Sequence, residues 1–282
     1  MASIAPIACE QVLTFLSPAL RHGQGLLAKL VRSGRLHCVF QPLVDLRSGN
    51  IHAHEALIRG PEGSACYAPD VLLDLARREQ LLQEFELFCA YTALQTWGQL
   101  GTGGRLFVNI SANALVQALS LSSTPRLASV VRSWGVKARM VVLEITEHER
   151  VADMARLCHA VQSVRAAGMQ LALDDFGDGR SSLRVWSEIK PDFVKIDKYF
   201  VRDISAQSQN WQMVQAIKGI AQVFGTTLIA EGIETTADLQ AMRELEIPYG
   251  QGWLLGRPAR HTQRATSCND GQAALQLEAL AA

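Results

Sequence analysis

Short apolar runs, several ending in a carboxylate, an amide or a lysine, alternate along this chain with segments whose apolar residues recur at helical spacing. That alternation restricts the fold more than any other feature. The strand-like runs are LHCVFQPLVDL, IHAHEALIR, LFVNIS, VVLEIT, LALDDF, FVKID, TLIAEGI and YGQGWLLG. Between them lie helical patterns. The first opens at Pro69-Asp70 and carries Val71, Leu72, Leu75, Leu82, Phe85, Phe88 and Cys89; others fall near Leu127 to Trp134, Met154 to Ala167, Ser181 to Ile189, Asn210 to Phe224 and Ala237 to Leu245. A chain of 282 residues with 48% hydrophobic content can bury one large core. Repeated β-then-α units with short loops predict an α/β fold, a TIM-like (β/α)8 barrel with helices outside. The first two runs flank Ser48-Gly49-Asn50 and read as a hairpin, so one strand near the N-terminus is expected to be antiparallel. The expected division is a helical extension over 1–33, with amphipathic pieces at Val12 to Leu16 and Leu26 to Val31, a barrel over 34–260, and a linker with a short helix over 261–282.

Charge and cysteine usage exclude several functions. Lys plus Arg and Asp plus Glu both number 27, so no net field draws in polymeric nucleic acid or an anionic membrane, and an anionic ligand must be captured locally. The N-terminal stretch has no basic leader and is broken by Glu10, Gln11 and Pro18, which argues against a secretory signal or a membrane span. Six scattered cysteines, without CxxC or zinc-type spacing, are expected as thiols in a reducing cytoplasm.

The strand ends carry the chemistry. Side chains alternate along a strand, so Glu55, Leu57 and Arg59 share one face, Lys195 shares a face with Asp197, Asp174 follows Ala172, and Glu231 follows Ile229. Each polar residue closes an apolar run, where a barrel strand emerges at its C-terminal rim. A single acid at a strand end usually caps a helix or lines a turn. Several aimed into one mouth repel one another and require a cation. Oxygen donors without Cys or His suit Mg²⁺ or Mn²⁺. Glu55, Asn109, Glu144 and Asp174 form one expected site and Asp174, Asp175 and Glu231 a second, with Asp174 between two ions. Two such ions about 3.5–4 Å apart can activate water and stabilise charge on a phosphate ester. Lys195 could orient that water, and Arg59 offers a fork to a phosphate oxygen. The DDFG string lacks the glycine-rich loop and HRD segment of a protein kinase, GTGGR at 101–105 lacks the Lys-Ser/Thr of a phosphate loop, and His52 and His54, on the face opposite Glu55, are expected to face solvent or pack on a helix.

EALIR, VNIS, EITE, DDFG, KID, AEGIE and GQGWLLGRP, in this order between about Leu36 and Pro258, closely resemble the EAL-domain cyclic-di-GMP phosphodiesterase family. The resemblance implies hydrolysis of cyclic di-GMP to linear 5′-pGpG with Mg²⁺ or Mn²⁺ in a two-metal site, inhibition by Ca²⁺, and a homodimer. It implies metal ligands at Glu55, Asn109, Glu144, Asp174, Asp175 and Glu231, with Lys195, Glu231 and Glu55 in catalysis. Substrate contacts fall on Gln41, Leu57, Arg59, Gln251, Asp197 and Glu234, and Glu147 steadies the loop after DDFG. Asp178 and Arg180 depart from the family's pattern in that loop. The alternative function is a catalytically weak or inactive cyclic-di-GMP receptor signalling through a protein partner. No recognisable sensor accompanies the barrel, so regulation is expected from dimerisation, the termini or a separate regulatory protein.

Overall fold

A computed structural model describes residues 18–101, 103–120, 124–146, 151–177, 183–205 and 208–261. Val12 to Leu16, Glu147, Asp178, Arg180 and 262–282 lie outside them. Eight strands close into a barrel in sequence order: β1 His37–Asp45, β2 Ile51–Arg59, β3 Arg105–Ser111, β4 Val141–Thr146, β5 Gln170–Phe176, β6 Phe193–Ile196, β7 Thr227–Ala230 and β8 Tyr249–Gly250. β1 runs antiparallel to both neighbours, and every other pairing is parallel, as the hairpin reading requires. The hairpin turn is held by Asp45, whose Oδ1 accepts from the backbone N–H groups of Arg47 and Ser48, while Gly49 takes φ +74°. β8 is the shortest strand, joined to β1 and to β7 by two residue pairs each.

The helices pack outside, and their apolar faces meet the outward faces of the strands in one continuous core. Pro18–His22 and Leu26–Arg32 belong to the body of the protein, because Leu20, Leu27, Leu30 and Val31 are buried with Leu72, Phe85 and Phe88. The helical pattern that began at Pro69 is broken. Pro69–Arg78 ends in a Schellman motif in which Leu81 N–H donates to the Ala76 carbonyl (2.9 Å) and Gln80 N–H to that of Arg77 (3.1 Å), with Gln80 at φ +57°. A second helix, Leu82–Leu100, then begins. Apolar periodicity alone carried across this break, since Leu75 and Leu82 sit on the same side of both pieces.

The barrel interior is layered. Leu43, Ala53, Phe107, Val142, Ala172, Phe193 and Ile229 form a buried apolar cluster of their own at the N-terminal end of the strands, with Tyr249 against it. A bulge marks its lower edge: Leu43 pairs with Ala53 but Val44 with Ile51, leaving His52 as the extra residue. His52 therefore stacks on Tyr249 (ring centroids 3.9 Å) and meets Arg105 Nη1 (2.5 Å), whereas His54 packs outward on Trp97. Helix packing is right for His54. The shared face expected of the two histidines is lost because the bulge shifts the alternation by one residue.

Candidate metal and phosphate site

Two residues beyond each apolar inward position the same strand turns another side chain into the barrel. Ala53 leads to Glu55, Phe107 to Asn109, Val142 to Glu144, Ala172 to Asp174, Phe193 to Lys195, Ile229 to Glu231 and Tyr249 to Gln251, while antiparallel β1 goes backward from Leu43 to Gln41. One step of the pleat thus converts an apolar floor into a polar mouth.

Lys195, 1% exposed, stands at the centre. Its Nζ lies 2.6 Å from Glu231 Oε1, 3.2 Å from Glu55 Oε2 and 3.3 Å from Asp174 Oδ1, and it contacts Glu144 Oε1. Asn109 Nδ2 donates to Glu55 Oε1 (2.7 Å), and Gln251 Nε2 donates to Glu55 Oε2 (2.8 Å) and Gln41 Oε1 (3.1 Å). Gln41 in turn donates to the Gly256 carbonyl (3.1 Å). No well-directed hydrogen bond reaches either oxygen of the fully buried Glu144. Burial, reinforced by the neighbouring Asp174 charge, holds the Glu144 carboxyl well above the usual range; burial does the same to Glu231 against the pull of Lys195. Burial also acts to raise Asp174, but Lys195 and local hydrogen bonds overcome it and the net displacement is downward. For Lys195, burial favours the neutral amine, yet Asp174 and the three glutamates hold the ammonium in place far above its ordinary range.

Asp175 breaks the alternation that would send it away from Asp174. Its backbone sits at φ +48° where the β5–β6 register shifts, and its carboxylate joins those of Asp174 and Glu231 within 4.8 Å. Glu55, Glu144 and Glu231 form a second group at the same spacing. Glu231 belongs to both groups, and Asp174, expected as the ligand between two ions, lies in the group with Asp175 and also contacts Lys195. Oxygen-only donors, surplus negative charge around one ammonium, and a carboxylate with no well-directed donor fit a hard divalent cation.

Other expected residues lie around this centre. Leu57 and Glu55 line two cavities. The larger, about 430 Å³, runs beneath Pro69–Arg78 and Leu82–Leu100, with Asn109, Asp174 and Glu86 in its wall. The smaller, about 260 Å³, is lined by Gln41, Asp175, Asp197, Glu231, Glu234, Gln251 and Trp253. Asp197 caps the following turn by accepting from Tyr199 N–H (2.9 Å), and Glu234 pairs with Arg202. Arg59 turns its Nη1 to the Ile58 carbonyl (2.8 Å) and lines neither of these cavities. Sequence reasoning missed Glu86, buried and accepting from Ser111 Oγ (2.5 Å), because it sits between Phe85 and Phe88 in a run read only as helix face. It also missed Trp253, although the GQGWLLGRP string held it.

The sequence model of one family, described as the EAL domain, matches residues 25–258. Among curated relatives, "Cyclic di-GMP phosphodiesterase NbdA" of Pseudomonas aeruginosa is 27% identical over 82% of this chain, and "Probable cyclic di-GMP phosphodiesterase PdeB" of Escherichia coli is 30% identical over 78%. The chain spans 30% and 42% of the length of these two relatives. Among solved structures, the calcium and cyclic di-GMP complex of Klebsiella pneumoniae BlrP1 superposes with a TM-score of 0.72 at 27% identity, over 82% of this chain and 58% of that one. Among the described residues, no helix is long and apolar enough to cross a membrane.

Proposed function

Since this chain belongs to the EAL domain family, we propose that it is a metal-dependent phosphodiesterase that opens cyclic di-GMP to linear 5′-pGpG. The observation that carries this reading is the ring of Glu55, Glu144, Asp174 and Glu231 about the single ammonium of Lys195. Glu55, Asn109, Glu144, Asp174, Asp175 and Glu231 would hold Mg²⁺ or Mn²⁺. Such ions, when bound, supply a sink for phosphate charge and acidify water.

The protein's own groups do the rest. Asn109 and Gln251 each donate one hydrogen bond, to opposite oxygens of Glu55, and so fix the plane of its carboxylate. Lys195 stays charged among its four partners and can hold the oxygen of an attacking water or of the phosphate. Arg59, once released from the Ile58 carbonyl, offers a bidentate fork to a phosphate oxygen. Water adds to one phosphorus, the bond to a ribose 3′-oxygen breaks, and that oxygen takes up a proton, leaving a 5′-phosphate and a free 3′-hydroxyl. The same reading makes the protein a cytoplasmic homodimer, inhibited by Ca²⁺.

Purified protein incubated with cyclic di-GMP and Mg²⁺ or Mn²⁺ is expected to release 5′-pGpG, and Glu55→Ala to lower turnover by at least a hundredfold. Product formed at an unchanged rate by Glu55→Ala contradicts the assigned site. Tight binding without turnover under either metal turns the reading to a receptor that signals through a protein partner.

A further inference from the structure

The helix that walls the larger cavity is held from its other side by the N-terminal helices. Along Pro69–Arg78 the side chains divide by helical period. Asp70, Leu73, Asp74 and Arg77 line the cavity that also contains Glu55, Asn109 and Asp174. Leu72 and Ala76 are buried instead with Leu27, Leu30 and Val31 of Leu26–Arg32, and with Leu82, Phe85 and Phe88. Among the described residues, none of Pro69–Arg78 belongs to the barrel core. Its apolar seat is this satellite cluster.

Glu79 ties the two helices together. It follows the last residue of Pro69–Arg78, continues the face of Leu72 and Ala76, and is half-buried. Its Oε1 accepts from the Leu27 N–H (3.2 Å), in the first turn of Leu26–Arg32. That helix begins after Gly25, which has no side chain to cap it, so a carboxylate 52 residues away along the chain serves as the cap. The fit is close. A Cβ on Gly25 would lie 2.1 Å from Glu79 Oε2, although the Gly25 backbone, at φ −62° and ψ 165°, suits any residue. Glycine is needed there to make room for the carboxylate.

We propose that Glu79 is a positioning residue: by capping the N-terminal helix it holds Pro69–Arg78 at the spacing that gives the larger cavity its width, and so sets how tightly substrate is held beside the carboxylates. The inference rests on the phosphodiesterase reading and deepens it. Glu79 lines neither of the two cavities, and its effect reaches the site through Leu73, Asp74 and Arg77 on the opposite face of the same helix. Loss of the cap leaves Lys195 and its four carboxylates in place, so binding weakens and the chemical step does not.

Steady-state turnover of cyclic di-GMP in Mn²⁺, with hydrogen exchange followed on the same proteins, tests this. Glu79→Ala and Gly25→Ala are each expected to raise KM about 2- to 30-fold, with kcat within about twofold of the wild type. Glu79→Gln keeps an acceptor for the Leu27 N–H and should lose less. With Glu79→Ala in place, adding Gly25→Ala should raise KM no further, because the atoms it displaces are gone. Amides of Pro69–Arg78 should exchange faster in both single variants, and those of Gln170–Phe176 at the wild-type rate. KM within about twofold of the wild type in both single variants overturns the proposal and leaves the phosphodiesterase reading standing. So does faster exchange in the barrel strands as well, which makes Glu79 an ordinary stabilising cap. A wild type that turns over no cyclic di-GMP sinks the phosphodiesterase reading. Exchange then decides the coupling alone, and unchanged rates for Pro69–Arg78 in Glu79→Ala overturn it.

Discussion

The floor and the mouth of this barrel are built by the same strands, two residues apart, and they obey opposite rules. At the floor, Phe107, Val142, Phe193 and Ile229 exclude water and favour folding. At the mouth, four carboxylates share one ammonium, an arrangement whose burial costs folding free energy and which, on the proposed reading, bound cations would relieve. The contrast shows where stability and chemistry are separated in this fold. The pleat lets one strand serve both without compromise at either layer.

The sharpest way to break this contrast is to remove its centre. Lys195→Met strands Glu55, Glu144, Asp174 and Glu231 without a counter-charge, and a loss of about 3–5 kcal/mol is expected in EDTA, with a clearly smaller loss in Mn²⁺. Urea melts under the two conditions measure it; equal losses would mean that the cluster is not a cation site. Phe107→Ala opens a cavity at the floor and should cost about 3 kcal/mol or more, this time by the same amount with and without Mn²⁺. Metal-dependent loss at the floor would erase the distinction between the layers.

A third, smaller test lies outside the mouth. Burial holds His54 at a pKa of about 4, below its ordinary 6.5. The unfolded chain binds its proton first, so this stabilisation is complete above about pH 6.5 and is lost as pH falls toward 4. His52, lowered to about 4 by burial and then by Arg105, adds a limb of the same sign. Removing one titrating ring with His54→Phe should flatten the acid side of a stability-against-pH curve by roughly 1–2 kcal/mol, allowing for solvent near the ring. An unchanged slope would assign the acid limb elsewhere.

Much of this could be read from the residues alone. Period-two alternation ending in an acid, amide or lysine identified the strands and, through parity, the faces of Glu55, Asp174, Lys195 and Glu231. Local backbone departures were invisible to that logic. The Gln80 turn divides one apparent helix, the His52 bulge shifts a register by one residue, and the left-handed Asp175 brings two consecutive carboxylates to one place. None of these has a signal in hydrophobic period, because each is decided by tertiary closure. That Glu231 comes within reach of both Glu55 and Asp175 depends on closure of the ring, which brings strands distant in the chain around one mouth, a relation that linear order does not contain.

The two-residue β8 gives the cylinder a zip fastener. Its few rungs to β1 and β7 are extended by Leu46 N–H on the Pro248 carbonyl (3.0 Å) and Gln251 N–H on that of Ala230 (2.8 Å), and Gln251 begins where the strand ends, with its amide on Glu55. Closing that seam is therefore also what brings the Gln251 amide onto Glu55, so the last rungs of the cylinder and the setting of one carboxylate are a single event.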